Sequence, residues 1–201
     1  MVDVGCGAGP LTEALVAEGF ETTGIDSSAE LLAIAQEAVP TAHFIHASLY
    51  EVEMPPCEAI IALGEPLTYH PEGANARSRI SGFFQSAASV LPPGGVLIFD
   101  IIETGEPSLS RRIWSSGDDW AVLVDTTEDA ASHTLTRNIE TFRKVGEFYR
   151  RGREIHRVQL FDTQWLCDEL TARGFEVETS RVYGDQPPAP RRRAFFALAF
   201  P

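Results

Sequence analysis

The chain is poor in cysteine: Cys6, Cys57 and Cys167 stand far apart among 201 residues. An odd, dispersed set forms neither a disulfide framework nor a paired zinc motif, so a reduced, cytoplasmic setting is expected and no metal site. No apolar run approaches the ~18 residues of a membrane span, and no basic stretch followed by an apolar one opens the chain. Membrane partners are therefore not expected. Positive charge is scarce as well. Sixteen basic residues face twenty-nine acidic ones, a net charge of −13. Proteins that hold nucleic acid through its phosphates show the opposite balance, which disfavours DNA and RNA as partners.

The shortage of positive charge is uneven. Residues 1–76 hold twelve acids and no Lys or Arg, so every basic residue lies in 77–201, seven of them from Arg137 to Arg157. Such a division suggests that the two parts of the chain carry different electrostatic tasks. What is present is ordinary for a globular protein, with 44% hydrophobic and 22% charged residues. At this length one domain spanning 1–201 is expected.

Short apolar runs alternate with helical periodicity over the first hundred residues, the mark of strand–helix–strand units on a parallel sheet. Strands are expected at Met1–Val4, Thr22–Asp26, Ala42–Ile45, Ala59–Leu63 and Val96–Phe99. Pro10 opens the first helix, whose buried stripe would be Leu11, Ala14 and Leu15. Ser27 and Glu30 have the spacing of a capping box for the second. Ile80, Phe83, Phe84, Ala87, Ala88 and Leu91 mark a strongly amphipathic third helix. Beyond Ile102 the pattern changes to two-residue alternation, which predicts a small antiparallel β insertion over 111–161. The α/β pattern then resumes with Asp162 as a helix cap and closes with strands over Glu176–Tyr183 and Ala194–Phe200. Arg191, Arg192 and Arg193 read as a solvated loop.

Chemistry concentrates in the turn after the first strand. A dinucleotide fingerprint needs GxGxxG, but here Gly5, Gly7 and Gly9 are followed by Pro10 and Leu11. That tighter turn lets backbone approach a compact ligand without a pyrophosphate. Asp26, at the end of the second strand, is placed to accept two ribose hydroxyls. Together they point to an adenosyl ligand.

On these residues the sequence resembles the class I S-adenosylmethionine-dependent methyltransferases. Val2–Gly9 resembles the family's first motif and Gly24–Ser28 its acidic second-strand end. Ile61–Glu65 matches the end of the fourth strand, and Leu91–Leu97 the Pro-Gly-Gly turn into the fifth. The resemblance implies a seven-stranded methyltransferase sheet, mostly parallel with the last strand antiparallel, and helices on both faces. It implies S-adenosylmethionine as cofactor. Asp3, Gly5, Cys6, Gly7 and Gly9 would form the cradle of its methionine end, with Cys6 a packing residue. Asp26 would hold the ribose, with Ile25 and Ser27 flanking the adenine. Ser48 stands where the family often has an acid toward the adenine amine, with Leu49 beside it. Leu63 and Gly64 would lie next to the transferable methyl.

Substrate-side candidates follow the fourth strand: Glu65, Tyr69 and His70, at positions where an acid and a histidine are also ordinary solvated loop residues. Glu103 shares that sheet edge. From the insertion, Tyr149, Glu154, His156 and Arg157 could face a pocket, while alternation leaves half of them in solvent. The family carries helices before its first motif, and a start upstream of residue 1 is expected. The resulting expectation is a methyltransferase acting on a small-molecule N, O or carboxylate acceptor, as a monomer or homodimer. A non-catalytic S-adenosylmethionine-binding module and a nicotinamide-dependent oxidoreductase are the alternatives.

Overall fold

A computed structural model of the chain describes residues 1–69, 75–183 and 189–200. His70, Pro187 and Pro188 lie outside the described residues. The first half alternates β1 (Val2–Val4), α1 (Pro10–Ala17), β2 (Thr23–Asp26), α2 (Ala29–Ala38), β3 (His43–His46), β4 (Ala59–Ala62), α3 (Ala76–Val90) and β5 (Val96–Ile102). An antiparallel run follows: β6 (Arg111–Ser116), β7 (Trp120–Asp129), β8 (Thr134–Val145) and β9 (Phe148–Gln159). Then come α4 (Thr163–Thr171), β10 (Phe175–Ser180) and β11 (Arg192–Ala199).

Seven strands form one sheet in the order β10-β11-β5-β4-β1-β2-β3. β11 runs antiparallel to both β10 and β5, and the remaining pairs are parallel. This is the expected methyltransferase sheet. Chain order reverses between β1 and β4, and open α/β sheets bind ligands at the carboxyl ends of the strands at such a point. β4 is buried at all four positions, as a strand covered on both faces must be. On one face Phe84 of α3 packs 5.4 Å from Phe99, which stacks on Phe195 at 4.6 Å. Strands β6 to β9 form a second sheet of their own, and Ile102, Leu135, Val158 and Leu160 make a small apolar cluster between the two.

Three expectations need correction. The cap of α2 is Ser28, not Ser27: its Oγ accepts the Leu31 N–H at 3.2 Å. The Ser28 N–H is held by Asp26 Oδ1 at 2.8 Å. The buried position of α1 is Thr12 rather than the Leu11, Ala14 and Leu15 stripe, because its hydroxyl donates to buried Asp3 at 2.6 Å. Arg191, Arg192 and Arg193 are not a solvated loop. β11 begins at Arg192 and pairs with Ile102 of β5. That register carries all three guanidinium groups onto carboxylates from distant parts of the chain, where sequence periodicity has no reach.

Candidate functional site

At the carboxyl end of β1 the chain must turn sharply under α1. Gly5 adopts φ +72°, and a Cβ there would meet the Pro66 Cβ at 2.7 Å, so both backbone and space demand glycine. The Gly5 N–H donates to the Ile25 carbonyl at 2.7 Å, tying the turn to β2. The Gly7 N–H donates to Asp26 Oδ2 at 2.8 Å. Each Asp26 oxygen thus accepts one backbone N–H, and a carboxylate has about four lone-pair sites in all. Two remain for hydroxyl groups.

A cavity of about 490 Å³ opens over this turn, within the usual size of a small-ligand site. Gly5, Ile25, Asp26 and Ser27 line it from the first two strands, and Ser48 and Leu49 from the end of β3. Leu63, Gly64 and Tyr69 contribute from the stretch after β4, and His156 from β9 of the second sheet. The structure therefore brings together eight of the twelve residues expected at the cofactor and two of the four expected at the substrate. The other four cofactor candidates lie beneath. Asp3 is buried, and burial raises its carboxyl above the ordinary range. Cys6 is buried too, its thiol pushed up to about 12 by burial and by the charges of Asp3 and Asp26, so it is no nucleophile. Gly7 acts through its bond to Asp26, and Gly9 caps α1 in the left-handed conformation.

Glu65 stands behind the cavity wall rather than in it. It is 4% exposed and held by Arg137 Nη2 at 2.9 Å and by Arg192, while its own N–H donates to Asp100 Oδ1 at 2.7 Å. Burial raises the Asp100 carboxyl, with Arg192 close by at 3.3 Å. Arg137 also donates from Nη1 to the Tyr69 hydroxyl at 3.1 Å. Burial pushes that phenol up from its ordinary value. The Tyr69 ring meets His156 edge-on at 5.6 Å, and His156 Nε2 lies 3.0 Å from Glu154 Oε2. Glu103 is likewise engaged, by Arg193, Arg181 and the Thr163 hydroxyl. Tyr149 is exposed toward the far end of β9 and does not line the cavity.

Sequence reasoning missed five lining residues: Ala47, Tyr50, Pro66, Arg79 and Ile155. The Arg79 guanidinium lies 4.4 Å over the Tyr50 ring, and the Tyr50 hydroxyl donates to the Leu67 carbonyl at 2.6 Å. A signal existed for Arg79, which is the second basic residue after the positively bare first 76 positions.

A family model described as a methyltransferase domain matches residues 1–95. A protein of Geobacillus sp. (strain WCH70), provisionally named a methyltransferase, is 27% identical over 212 residues, covering 99% of this chain and 83% of its own. A ubiquinone biosynthesis O-methyltransferase of Hydrogenovibrio crunogenus is 29% identical over 186 residues, covering 85% of this chain and 70% of its own. Among solved structures, an S-adenosylmethionine-dependent methyltransferase from Clostridium acetobutylicum superposes with a TM-score of 0.84 at 19% identity. It covers all of this chain and 83% of that one. The cradle that closes on Gly5 and the two lone pairs left on Asp26 fit an adenosyl ligand; residues 1–95 match the methyltransferase-domain family, and along its whole length the chain is similar in sequence to methyltransferases and in fold to an S-adenosylmethionine-dependent one.

Proposed function

We propose that this chain methylates a small molecule at a nitrogen, an oxygen or a carboxylate, acting as one domain whose β insertion forms a wall of the active site. The observation that carries the reading is the continuity of one cavity from Gly5 and Asp26 to Tyr69 and His156. When bound, S-adenosylmethionine supplies a methyl already activated on a sulfonium. Asp26 accepts the ribose hydroxyls, Ser48 and Leu49 face the adenine, and Leu63 and Gly64 lie beside the methyl. The protein's task is then to align the acceptor with the methyl and to exclude water, and alignment can supply roughly 7–11 kcal/mol.

Tyr69 and His156 are the acceptor-side candidates. Because Arg137 donates to the Tyr69 oxygen, the phenolic proton is left to donate to a bound acceptor. Glu65, expected on the substrate side, acts as a positioning residue: its carboxylate holds Arg137, and Arg137 holds Tyr69. The small-molecule reading is supported by a relative named for ubiquinone biosynthesis and by the net charge of −13, which opposes nucleic acid. Among the described residues no helix is long and apolar enough to cross a membrane.

Calorimetric titration with S-adenosylhomocysteine, with NADH as control, tests the cofactor end. Saturable S-adenosylhomocysteine binding is expected, and Asp26→Ala weakens it at least ~100-fold, since hydrogen bonds to a charged group contribute about 1.5–3 kcal/mol each. Binding of NADH alone returns the oxidoreductase alternative, and full affinity in Asp26→Ala overturns the assigned ribose contact.

A further inference from the structure

The inserted sheet has one open edge. β6 pairs with β7 over all six of its residues and, among the described residues, with no strand on its other side. The opposite edge is covered, since Val158 of β9 bridges to Tyr69. A free edge presents unpaired N–H and C=O groups to any second strand, and proteins that avoid such pairing place a proline, a bulge or a lysine there. Arg111-Arg112-Ile113-Trp114-Ser115-Ser116 has none of these. Its two charges stand at one end and its middle is apolar, with Ile113 47% and Trp114 76% exposed. Leu123, opposite Trp114 on β7, is also exposed and extends the patch.

Charge says which partner this edge can meet. Residues 111–161 carry nine basic and eight acidic side chains, whereas the rest of the chain carries seven and twenty-one. Two copies of a protein with net charge −13 repel one another over most of their surfaces. At the inserted sheet that repulsion is nearly absent. The charges there are also spent on one another: Arg112 pairs with Asp125 at 2.9 Å and Arg151 with Glu140 at 2.6 Å. A strongly acidic or basic partner would find little net charge to recognise.

We infer that two copies of this chain associate through their β6 edges as a symmetric dimer, joining two four-stranded sheets into one. Strands related by a two-fold axis perpendicular to the sheet run antiparallel and present the same face to the same side. Directly opposed residues therefore share a face. A register centred on Arg112 would oppose two guanidinium groups, and like charges directly opposed are destabilising. Registers centred on Ile113 or Trp114 oppose none; the first sets Ile113 against its own copy and Arg112 against the partner's Trp114. The ligand cavity is lined from β9, the other edge, so the association leaves it open in both copies. The inference goes beyond the methyltransferase reading and does not rest on it.

Sedimentation equilibrium of the full chain at micromolar concentration should return twice the single-chain mass of 22.0 kDa. Ile113→Lys puts a lysine at the centre of the edge and should raise the dimer Kd at least ~10-fold, with circular dichroism unchanged. Cysteines placed along β6 and oxidised with copper phenanthroline locate the axis. Linking above the wild-type level should peak at Ile113→Cys or Trp114→Cys, because directly opposed Cα atoms stand about 4.5–5.5 Å apart, within disulfide reach. It should fall away at Arg111→Cys and Ser116→Cys. A 22.0 kDa species at every concentration overturns the inference. So does a dimer that Ile113→Lys leaves intact, or linking that shows no peak at the centre of β6. If Ile113→Lys loses its circular dichroism signal, the cysteine series decides.

Discussion

The parallel sheet and the inserted sheet are held by different forces. In the first, apolar burial dominates: Val2, Val4, Ile25 and Ile60 are essentially inaccessible, and α3 lays two phenylalanines on the strands. The inserted sheet is exposed along the whole of β6, with Trp114 76% and Phe148 80% exposed. It reaches the rest of the molecule through a small apolar cluster, in which Leu135, Val158 and Leu160 meet Ile102 of β5, and through a set of arginine–carboxylate pairs. Arg191 and Glu128 meet at 2.8 Å with 4% and 6% of their side chains exposed, and Arg137 crosses from β8 to Glu65. The comparison teaches that the parallel sheet is built as a core, and the inserted sheet as a layer pinned by charge. Apolar burial itself carries no titrating group. A layer pinned by carboxylates does.

The largest effect should come from the core side. Phe84→Ala leaves a cavity where three aromatic rings meet, and a loss of about 3–5 kcal/mol is expected in urea unfolding, with the cofactor and acceptor ends failing together. Next is Glu128→Gln, which leaves the Arg191 guanidinium buried against a neutral amide and should cost about 1.5–3 kcal/mol. In a Trp165→Phe background the remaining tryptophans, Trp114 and Trp120, both lie in the inserted sheet and report on it. Their transition should precede loss of the circular dichroism signal. Coincident transitions at an unchanged midpoint would show that the pair does not pin the layer.

Acid should separate the regions further. Burial alone would raise Glu128, but the Leu109 N–H and Arg191 outweigh it and the carboxyl titrates below its ordinary 4.5. Its stabilisation is therefore complete above 4.5 and is lost as pH falls through the lowered value. Asp3, in the parallel sheet, is raised above 3.8 by burial, so its cost is absent below 3.8 and grows as pH rises through the raised value. On acidification the tryptophan transition of the inserted sheet should move to lower urea, and Glu128→Gln should flatten that dependence. The smallest effect belongs to Arg112→Ala. Its Asp125 pair is exposed, at 85% and 45%, and such pairs contribute about 0–1 kcal/mol in melts.

Much of the cofactor end was legible because its signals are local. Gly5, Gly7, Gly9 and Asp26 lie in one strand–turn–helix–strand unit, and the φ and hydrogen bonds they adopt follow from neighbours in sequence. Asp162 was readable as a cap for the same reason, accepting the Trp165 N–H three residues on. The acceptor end was less legible. Glu65 looked like a free loop acid because its partners, Arg137 and Arg192, lie 72 and 127 residues away. Arg191 to Arg193 looked solvated because no residue near them in sequence is their partner. Among the unexpected lining residues, Arg79 lies off the apolar stripe of its helix, where periodicity assigns no role.

By itself the sequence determined the order of elements, the glycine turn and the acid that faces it, because backbone conformation and hydrophobic period act over a few residues. Only the tertiary structure decided which charges are spent on one another and which remain for a ligand. Ion pairing depends on distance in space, and the antiparallel return of β11 beside β5 sets Arg191, Arg192 and Arg193 against carboxylates remote in sequence.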